Sequence, residues 1–542
     1  MALKGEYDAV IIGAGHNGLI LAGYLARAGL EVIVLERYLE QGGGLDTHVD
    51  PRFPGFLHNM HSFFHRNLTN LSWWRDLKVG EYDVEYLRPE VGCGMLMERG
   101  RCILLYADIE KTKKSIRKIS AADAKMWEEV HRRWQPVVRD VTEPMTYSPP
   151  IGWDKLKSLL NGSGPGREFL QFADKSCDEV VCDLFESDAV RAFLLYLSDI
   201  RGYDTWSKRL GWLIPHMVAT GVNPQMARGT SHRLAHALDA SALSAGADVV
   251  EGKEVTRILV ENGRAKGVEL RSGERLLARR LIATSTGPGQ TFGDLIEPGH
   301  VDRRFAEKTK KYEYGPIGPI FSINLALNER PVYTAEKHEP DAGRSLLTVV
   351  GLDSKEDMDE LHHAHNEGRL PKKLFFNGTT PTVFDPSQAP AGKHTAFMWQ
   401  LVPYRLADGG PRKWLEIQDE FLDALHERWA RFAPNLKKAG VIVSKFCQTP
   451  VDIENHFNTM VGGDWMEGHL YEEQFYDRRP LPELSGYRTP IEGLYLCGSC
   501  CHPGGNITGG PGYNAAKAVA EDLGMDPWWK PLNFEEHLSA LK

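Results

Sequence analysis

Three glycines near the start of the chain have the spacing of a dinucleotide-binding loop. They are Gly13, Gly15 and Gly18, and they directly follow a short apolar run at residues 7–12. In such a loop the first glycine makes a tight turn and the second lets the backbone approach a pyrophosphate, while the third lets a helix pack closely on a strand. The free N–H groups and the positive dipole end of that helix then stabilise the phosphates.

The residues after this loop predict a complete strand-helix-strand unit. Apolar residues recur at helical spacing until Gly29 ends the helix, and residues 31–35 form a second apolar run. Glu36 follows this run, at a position where a carboxylate can accept hydrogen bonds from ribose hydroxyls. Because a carboxylate repels a 2′-phosphate, the motif disfavours NADP.

Two further glycine-rich segments extend the predicted nucleotide site. Gly43 and Gly44, shortly after Arg37, form a flexible turn that can pass close to a dinucleotide. Near the other end of the chain, residues 493–498 have the pattern of a buried strand, and the glycine-rich loop after it leads into a helical pattern from Tyr513. The first turn of that helix would direct unpaired N–H groups at the loop and stabilise the negative charge of a reduced flavin.

Taken together, these motifs resemble the phytoene-desaturase-like branch of the FAD-dependent amine-oxidase superfamily. The resemblance rests on the first glycine loop with Glu36, on Gly42 and Gly43, and on the closing segment 494–516. It implies an FAD cofactor, with the backbone at Val255 contacting the adenine. The residues predicted to bind the cofactor are Gly13, Gly15, Gly18, Glu36, Arg37, Gly43, Gly44, Val255, Gly498, Gly505, Gly512, Tyr513 and Asn514.

The same resemblance implies an α/β fold in which a Rossmann-like FAD-binding domain is discontinuous in sequence. Residues 1–75, 225–300 and 485–530 would form this domain. Residues 76–224 and 301–484 would form an inserted α+β substrate domain, a mixed sheet flanked by helices. Prolines scattered between positions 330 and 395 predict long loops over the substrate domain, which could serve as a lid.

Histidines follow the family's Pro-Gly-Phe motif, where carotenoid desaturases usually have small or acidic residues. His61 and His65 are candidate proton acceptors, since histidine titrates near neutral pH, and His469 is a second candidate. The alternative is that they are ordinary loop histidines. Aromatic residues that could line a substrate pocket are Phe63, Phe64, Trp73, Trp74, Tyr203, Trp206 and Trp212.

The composition of the 542 residues narrows the choice of partner. A net charge of −9 gives no reason to expect nucleic acid, so the partner is predicted to be a small molecule. Eight scattered cysteines and the absence of metal-ligand spacing predict a reducing, cytoplasmic location and no metal. No apolar run is long enough to span a membrane, although peripheral contact with a membrane stays open. A homodimer also stays open.

The predicted function is that of an FAD-dependent oxidoreductase. It would remove a hydride from a hydrophobic or aromatic small molecule and pass the electrons to oxygen or a quinone-like acceptor. A narrower amine oxidase is the alternative, although Leu45 stands where those enzymes often carry arginine. Two further alternatives are an isomerase or hydratase without net redox chemistry and a non-enzymatic FAD-binding protein. Covalent attachment of the flavin through a histidine near position 60 also stays open.

Overall fold

The computed structural model describes residues 3–50, 52–221 and 224–541, and within them most strands belong to two seven-stranded sheets. The strands are β1 (Glu6–Ile12), β2 (Val32–Leu35), β3 (Thr47–Val49), β4 (Leu57–Asn59), β5 (His65–Arg66), β6 (Tyr86–Leu87), β7 (Val91–Leu96), β8 (Cys102–Tyr106), β9 (Pro224–Ala227), β10 (Asp248–Val250), β11 (Val255–Glu261), β12 (Arg264–Leu270), β13 (Arg275–Thr284), β14 (Ile320–Leu327), β15 (Ser345–Val350), β16 (Phe376–Thr379), β17 (His394–Leu401), β18 (Ile442–Gln448) and β19 (Leu494–Leu496). The helices are α1 (His16–Arg27), α2 (Ser72–Asp76), α3 (Ile109–Arg117), α4 (Ala121–Val137), α5 (Glu143–Thr146), α6 (Trp153–Leu160), α7 (Gly164–Leu170), α8 (Cys177–Leu184), α9 (Asp188–Asp199), α10 (Leu213–Thr220), α11 (His232–Ser244), α12 (Pro288–Gly293), α13 (Arg303–Lys310), α14 (Lys355–Asn366), α15 (Lys413–Phe432), α16 (Pro450–Phe457), α17 (Gly510–Asp522) and α18 (Phe534–Ala540).

The first sheet is built around β1, which is parallel to β2 on one side and to β13 on the other. Strand β10 extends the sheet beyond β2, and β19 pairs with the end of β13, also in parallel. The antiparallel strands β12 and β11 continue from the start of β13. The parallel order β10-β2-β1-β13-β19 confirms the predicted Rossmann-like arrangement.

Two glycines of the first loop allow α1 to pack tightly on this sheet. Gly13 has a φ of +98°, and a side chain there would collide with the hydroxyl of Ser285. A side chain at Gly18 would collide with the carbonyl oxygen of Gly13. Both glycines are therefore needed for the turn and for helix packing, as the motif predicts.

The second sheet has the order β18-β14-β17-β16-β15-β7-β8, and within it only β15 and β7 pair in parallel. Alternate residues of its strands face opposite sides, so Ile103 and Leu105 pack with α4, α9 and α10, while Leu104 and Tyr106 pack with α15. Helices thus cover both faces, and the predicted α+β architecture is confirmed.

The strands of the first sheet all lie within the segments predicted for the FAD domain, and those of the second sheet lie within the segments predicted for the substrate domain. The domain boundaries themselves stay a prediction. The expectation of long loops between 330 and 395 was wrong, because β15, α14 and β16 lie there. The prolines stand outside these elements, since a proline ends an element without preventing a new one a few residues later.

Among the helices of the described ranges, none is both long enough and apolar enough to cross a bilayer.

Candidate active site

A cavity of about 1310 Å³ is lined by residues of the first sheet, of the second sheet and of the loops between them. This volume exceeds the roughly 300–1,000 Å³ of ordinary ligand pockets, so it has room for a dinucleotide and a substrate together. Of the predicted cofactor-binding residues, its wall contains Gly13, Gly15, Gly18, Glu36, Arg37, Gly43, Gly44, Val255 and Gly498.

The beginning of α1 has the geometry that a bound pyrophosphate requires. Gly15 precedes the helix, no side chain caps it, and His16 and Asn17 line the cavity as well. A Cβ atom built on Gly15 would meet nothing within 4 Å, so this backbone faces open space. The uncapped helix end therefore offers its N–H groups to an anion in the cavity, and the residues present fit a dinucleotide.

Glu36 is held in place by backbone hydrogen bonds. Its Oε2 accepts from the N–H of Ala14 at 2.9 Å and its Oε1 accepts from the N–H of Tyr38 at 3.0 Å. Each carboxylate oxygen has two lone pairs, so acceptor capacity remains for ribose hydroxyls. The guanidinium of Arg37 lies 4.7 Å from the centre of the Tyr38 ring, and both residues line the cavity next to Glu36.

Two predicted cofactor glycines lie behind the cavity wall instead of in it. A side chain at Gly512 would collide with the carbonyl oxygen of Asn17, and a Cβ at Gly505 would lie 2.8 Å from the Cα of Met466. Close packing of backbone on backbone explains both glycines in this structure. Their contact with the cofactor stays a prediction.

Tyr513 and Asn514 also lie outside the wall. The ring of Tyr513 packs against Tyr24 with centroids 5.4 Å apart, and the side-chain amide of Asn514 donates to the carbonyl of Thr146 at 3.1 Å. These contacts join α17 to α1 and to the end of α5. They support the wall, and the predicted cofactor role of both residues is untested.

His61 lies in the cavity wall with its polar atoms unengaged. Only 6% of the residue is exposed, and neither ring nitrogen has a hydrogen-bond partner among the residues that the structure describes. Its neighbours are the rings of Phe457, Trp399 and Trp465, with centroids 5.1 to 6.2 Å away. Burial lowers the pKa of His61 to about 4. The imidazole is therefore neutral at pH 7, and one of its nitrogens is an acceptor whose lone pair is unused.

The other two candidate histidines are already engaged. His65 lines the cavity, but its Nε2 lies 3.0 Å from the Ser62 hydroxyl and its Nδ1 lies 2.6 Å from the Tyr86 hydroxyl. His469 is absent from the wall, and its Nε2 lies 3.3 Å from a carboxylate oxygen of Asp204. The structure thus brings His61 and His65 to the cavity, but not His469.

The aromatic lining differs from the expected set. Phe63 and Phe64 line the cavity, whereas the predicted tryptophans and Tyr203 do not. Trp73 has a positioning role instead, since its Nε1 donates to the carbonyl of Thr508 at 2.8 Å, and Thr508 belongs to the wall. Lining residues that the sequence analysis missed include Trp399, Phe457, Trp465, Asn377, Gln448 and Glu467. They come from separate strands and loops and from the end of α16, so no linear motif marks them.

Arg479 anchors two loops that contribute to the wall. It is fully buried and donates to the backbone carbonyls of Met466, Gly468, His469 and Ser499 at 2.9 to 3.3 Å. Ser499 and its neighbour Gly498 line the cavity. The guanidinium of Arg479 therefore holds the loop that contains Ser499 against the loop that contains Met466, Gly468 and His469.

Replacement of Arg479 by methionine should lower the free energy of unfolding by at least about 3 kcal/mol, because several buried carbonyls lose a charged donor together. Urea denaturation monitored by tryptophan fluorescence measures the change. The adjacent Arg478→Met is the matched control, since Arg478 is partly exposed and makes a single 3.5 Å contact with the Glu472 carbonyl. Equal stability of the two variants would contradict this assignment.

Asp46, His48 and His456 form a group that could hold a metal ion, which the sequence analysis did not predict. Asp46 Oδ2 lies 3.1 Å from the Nε2 atoms of both histidines. Spacing could not reveal the group, because Asp46 and His456 are 410 residues apart in the chain. Although burial opposes it, hydrogen bonds from His456 and His48 hold the pKa of Asp46 well below its usual value.

Asp46→Asn should lower the pKa of His48, which a hydrogen bond to Asp46 raises above 6.5 in the wild type. The stabilisation from this raised pKa is fully present below pH 6.5 and is lost as the pH rises through the folded-state value. An NMR titration of the imidazole protons measures the change. Asp526→Asn, near the carboxyl end of the chain, serves as the control. An unchanged His48 titration in Asp46→Asn would show that the carboxylate does not act on this ring.

Comparison with known proteins agrees with this geometry. Residues 18–523 match the family model described as flavin containing amine oxidoreductase. A limonene dehydrogenase subunit of Castellaniella defragrans is 33% identical over 97% of this chain and 96% of that protein. A neurosporene-forming phytoene desaturase of Rhodobacter capsulatus is 24% identical over 93% of this chain and 92% of its own, which confirms the predicted resemblance.

Among solved structures, a putrescine oxidase triple mutant superposes with a TM-score of 0.57 at 12% identity, over 96% of this chain and 99% of that one. This likeness supports the two-sheet fold described above. The family match covers far more than half of the sequence. The chain therefore belongs to the flavin-containing amine oxidoreductase family and is an FAD-dependent oxidoreductase.

Proposed function

We propose that this oxidoreductase dehydrogenates a hydrophobic or aromatic small molecule, with His61 accepting the proton that leaves. The observation that carries the proposal is the neutral, unpartnered imidazole of His61 among aromatic rings on the cavity wall. The similarity to a limonene dehydrogenase supports a dehydrogenation. Phe63, Phe64 and Trp399 supply an apolar lining for such a substrate.

Different residues of the cavity wall have different roles. In this proposal the N-terminus of α1 holds the pyrophosphate, Glu36 holds a ribose and the backbone at Val255 contacts the adenine. Bound FAD supplies the hydride acceptor. Removing two hydrogens from a saturated bond leaves one of them as a proton, which His61 takes up on a ring nitrogen. The surrounding rings exclude water and hold the substrate against the cofactor.

We propose further that electrons pass from the protein to oxygen or a quinone-like acceptor and that the protein works in the cytoplasm. A homodimer is compatible with the chain. The proposal includes non-covalent attachment of the cofactor, because none of the three cofactor contacts described above requires a covalent bond. Denaturation of the purified protein tests this attachment directly, since a non-covalent flavin is released into the supernatant.

The deciding experiment is anaerobic bleaching of the bound flavin. The purified protein is mixed with cyclic terpenes, aromatic alcohols, amines and polyenes in turn, and the oxidised flavin absorbance is followed. We expect bleaching by apolar C–H or alcohol donors, and admission of air then distinguishes an oxidase from a dehydrogenase. Bleaching by amines alone would replace the proposal with an amine oxidase. Absence of bleaching by every class, with FAD intact, would favour an isomerase or hydratase.

A further inference from the structure

Arg66 in the cavity wall and Arg201 next to that wall carry positive charge that no described carboxylate balances. Arg66 lines the cavity, with its guanidinium 5.5 Å from the centre of the Phe64 ring. Arg201 directly follows Ile200, which lines the cavity, and the carbonyl of Arg201 accepts from Asn506, another wall residue, at 3.4 Å. Within residues 3–50, 52–221 and 224–541, neither guanidinium forms an ion pair.

The described residues near the two arginines supply no anion to balance them. Burial lowers the pKa of Arg66 well below its usual value, and the charge of Arg201 lowers it further. Burial and both arginines also lower the pKa of His216 to about 3, so this histidine is neutral at pH 7. The titratable groups that oppose the arginines are Tyr203 and Cys93, and burial raises the pKa of both, that of Cys93 to about 12. Neither is an anion at neutral pH.

Two partly buried cations without a counter-charge are costly unless an anion accompanies them. The carboxyl end of α9 precedes Arg201 and favours a cation, but a helix terminus offsets only a small part of that cost. Phe63, Phe64 and Ile200 add apolar surface to this wall. The cavity therefore suits a molecule that has an apolar body and one anionic end. A planar carboxylate matches the guanidinium fork.

We propose that Arg66 and Arg201 form an anion-binding end of the substrate cavity, and that the substrate is an apolar or aromatic carboxylic acid. This inference rests on the proposed function, because it takes the cavity to be the substrate site. The carboxylate would fix the orientation of the substrate and would itself undergo no reaction. Arg66 and Arg201 are therefore specificity-determining residues.

The test compares two nearly isosteric probes, phenylacetate and phenylacetamide, which differ in charge. Each is titrated into the FAD-loaded protein and followed by calorimetry and by the flavin difference spectrum, so that no turnover is needed. We expect phenylacetate to bind at least about tenfold more tightly than phenylacetamide. Equal affinity of the two probes, or no binding of either up to 50 mM, roughly the upper limit of such titrations, would overturn the proposal.

Variants of the two arginines test whether these residues cause the preference for phenylacetate. Arg66→Met and Arg201→Met should each remove the preference for phenylacetate, while Arg66→Lys should keep part of it because the charge remains. Arg303→Met, an exposed arginine at the start of α13, should leave the preference unchanged. FAD content and thermal melting confirm that each variant is folded. A preference that survives in both methionine variants would contradict the assignment.

The two proposals fail in different ways. If acids bind tightly but no compound of any class bleaches the flavin, the anion site stands and the dehydrogenation is wrong. If neutral apolar donors bleach the flavin and phenylacetate binds no better than its amide, the dehydrogenation stands and the anion site is wrong.

Discussion

Replacement of His61 by glutamine should lower kcat/KM by about 10²–10⁴-fold, because the reaction loses its proton acceptor. Glutamine keeps a polar side chain of similar size in the wall but cannot take up a proton near neutral pH. Steady-state kinetics with whichever substrate bleaches the flavin, together with the rate of anaerobic bleaching, measure the loss. His338→Gln, an exposed histidine outside the wall, is the matched control.

The pH profile separates this role from a structural one. Burial lowers the pKa of His61 to about 4, so its neutral form already predominates above pH 5. We therefore expect kcat/KM of the wild type to fall below about pH 4 and to show no inflection near 6.5 that depends on His61. Two results would remove His61 from the mechanism. One is a wild-type kcat/KM in His61→Gln, and the other is recovery of the activity of His61→Gln by a second substitution at Asn377 or another wall residue.

Gly15→Ala should lower the affinity for FAD at least about tenfold, which corresponds to about 1.4 kcal/mol. The added methyl group would occupy open space at the start of α1, where a pyrophosphate has to approach the backbone. Because the methyl meets no protein atom within 4 Å, the fold itself should be preserved. Flavin content after purification and reconstitution of the apoprotein with FAD, followed by fluorescence quenching, measure the affinity.

Gly164→Ala provides the control for this variant. A Cβ on Gly164 also meets nothing within 4 Å, but this glycine is exposed at the start of α7 and lies outside the cavity wall. The control should retain full FAD. If Gly15→Ala binds FAD as tightly as the wild type, the pyrophosphate does not approach this glycine, and the assigned orientation of the cofactor is wrong.

The cofactor end of the molecule was predictable because its determinants are local in sequence. Gly13, Gly15, Gly18 and Glu36 lie within one strand-helix-strand unit, so their spacing alone indicates how the backbone turns. The Rossmann-like architecture of the first sheet followed from the resemblance. Gly512 illustrates a limit of such reasoning, since a glycine required by a neighbouring backbone looks the same in sequence as a glycine required by a ligand.

The residues that line the substrate part of the cavity could not be predicted in the same way. His61, Trp399 and Trp465 meet in space although they come from a loop near the N-terminus, a strand of the second sheet and a loop near the C-terminus. Each stands in a sequence that is equally typical of an ordinary core. Only the packing of the two sheets shows that His61 is left without a partner and that Asp46 lies beside His456.

The placement of β19 next to β13 has a consequence for biosynthesis. Completing the parallel sheet and the cavity wall needs residues 494–508, which the ribosome adds after the other described strands of the sheet and the other wall residues. At about 5–20 residues per second, the roughly 210 residues between the end of β13 and the start of β19 take on the order of 10–40 s to synthesise. During that interval the edge of β13 that pairs with β19 is uncovered. The flavin site is therefore complete only after residue 508 has been added.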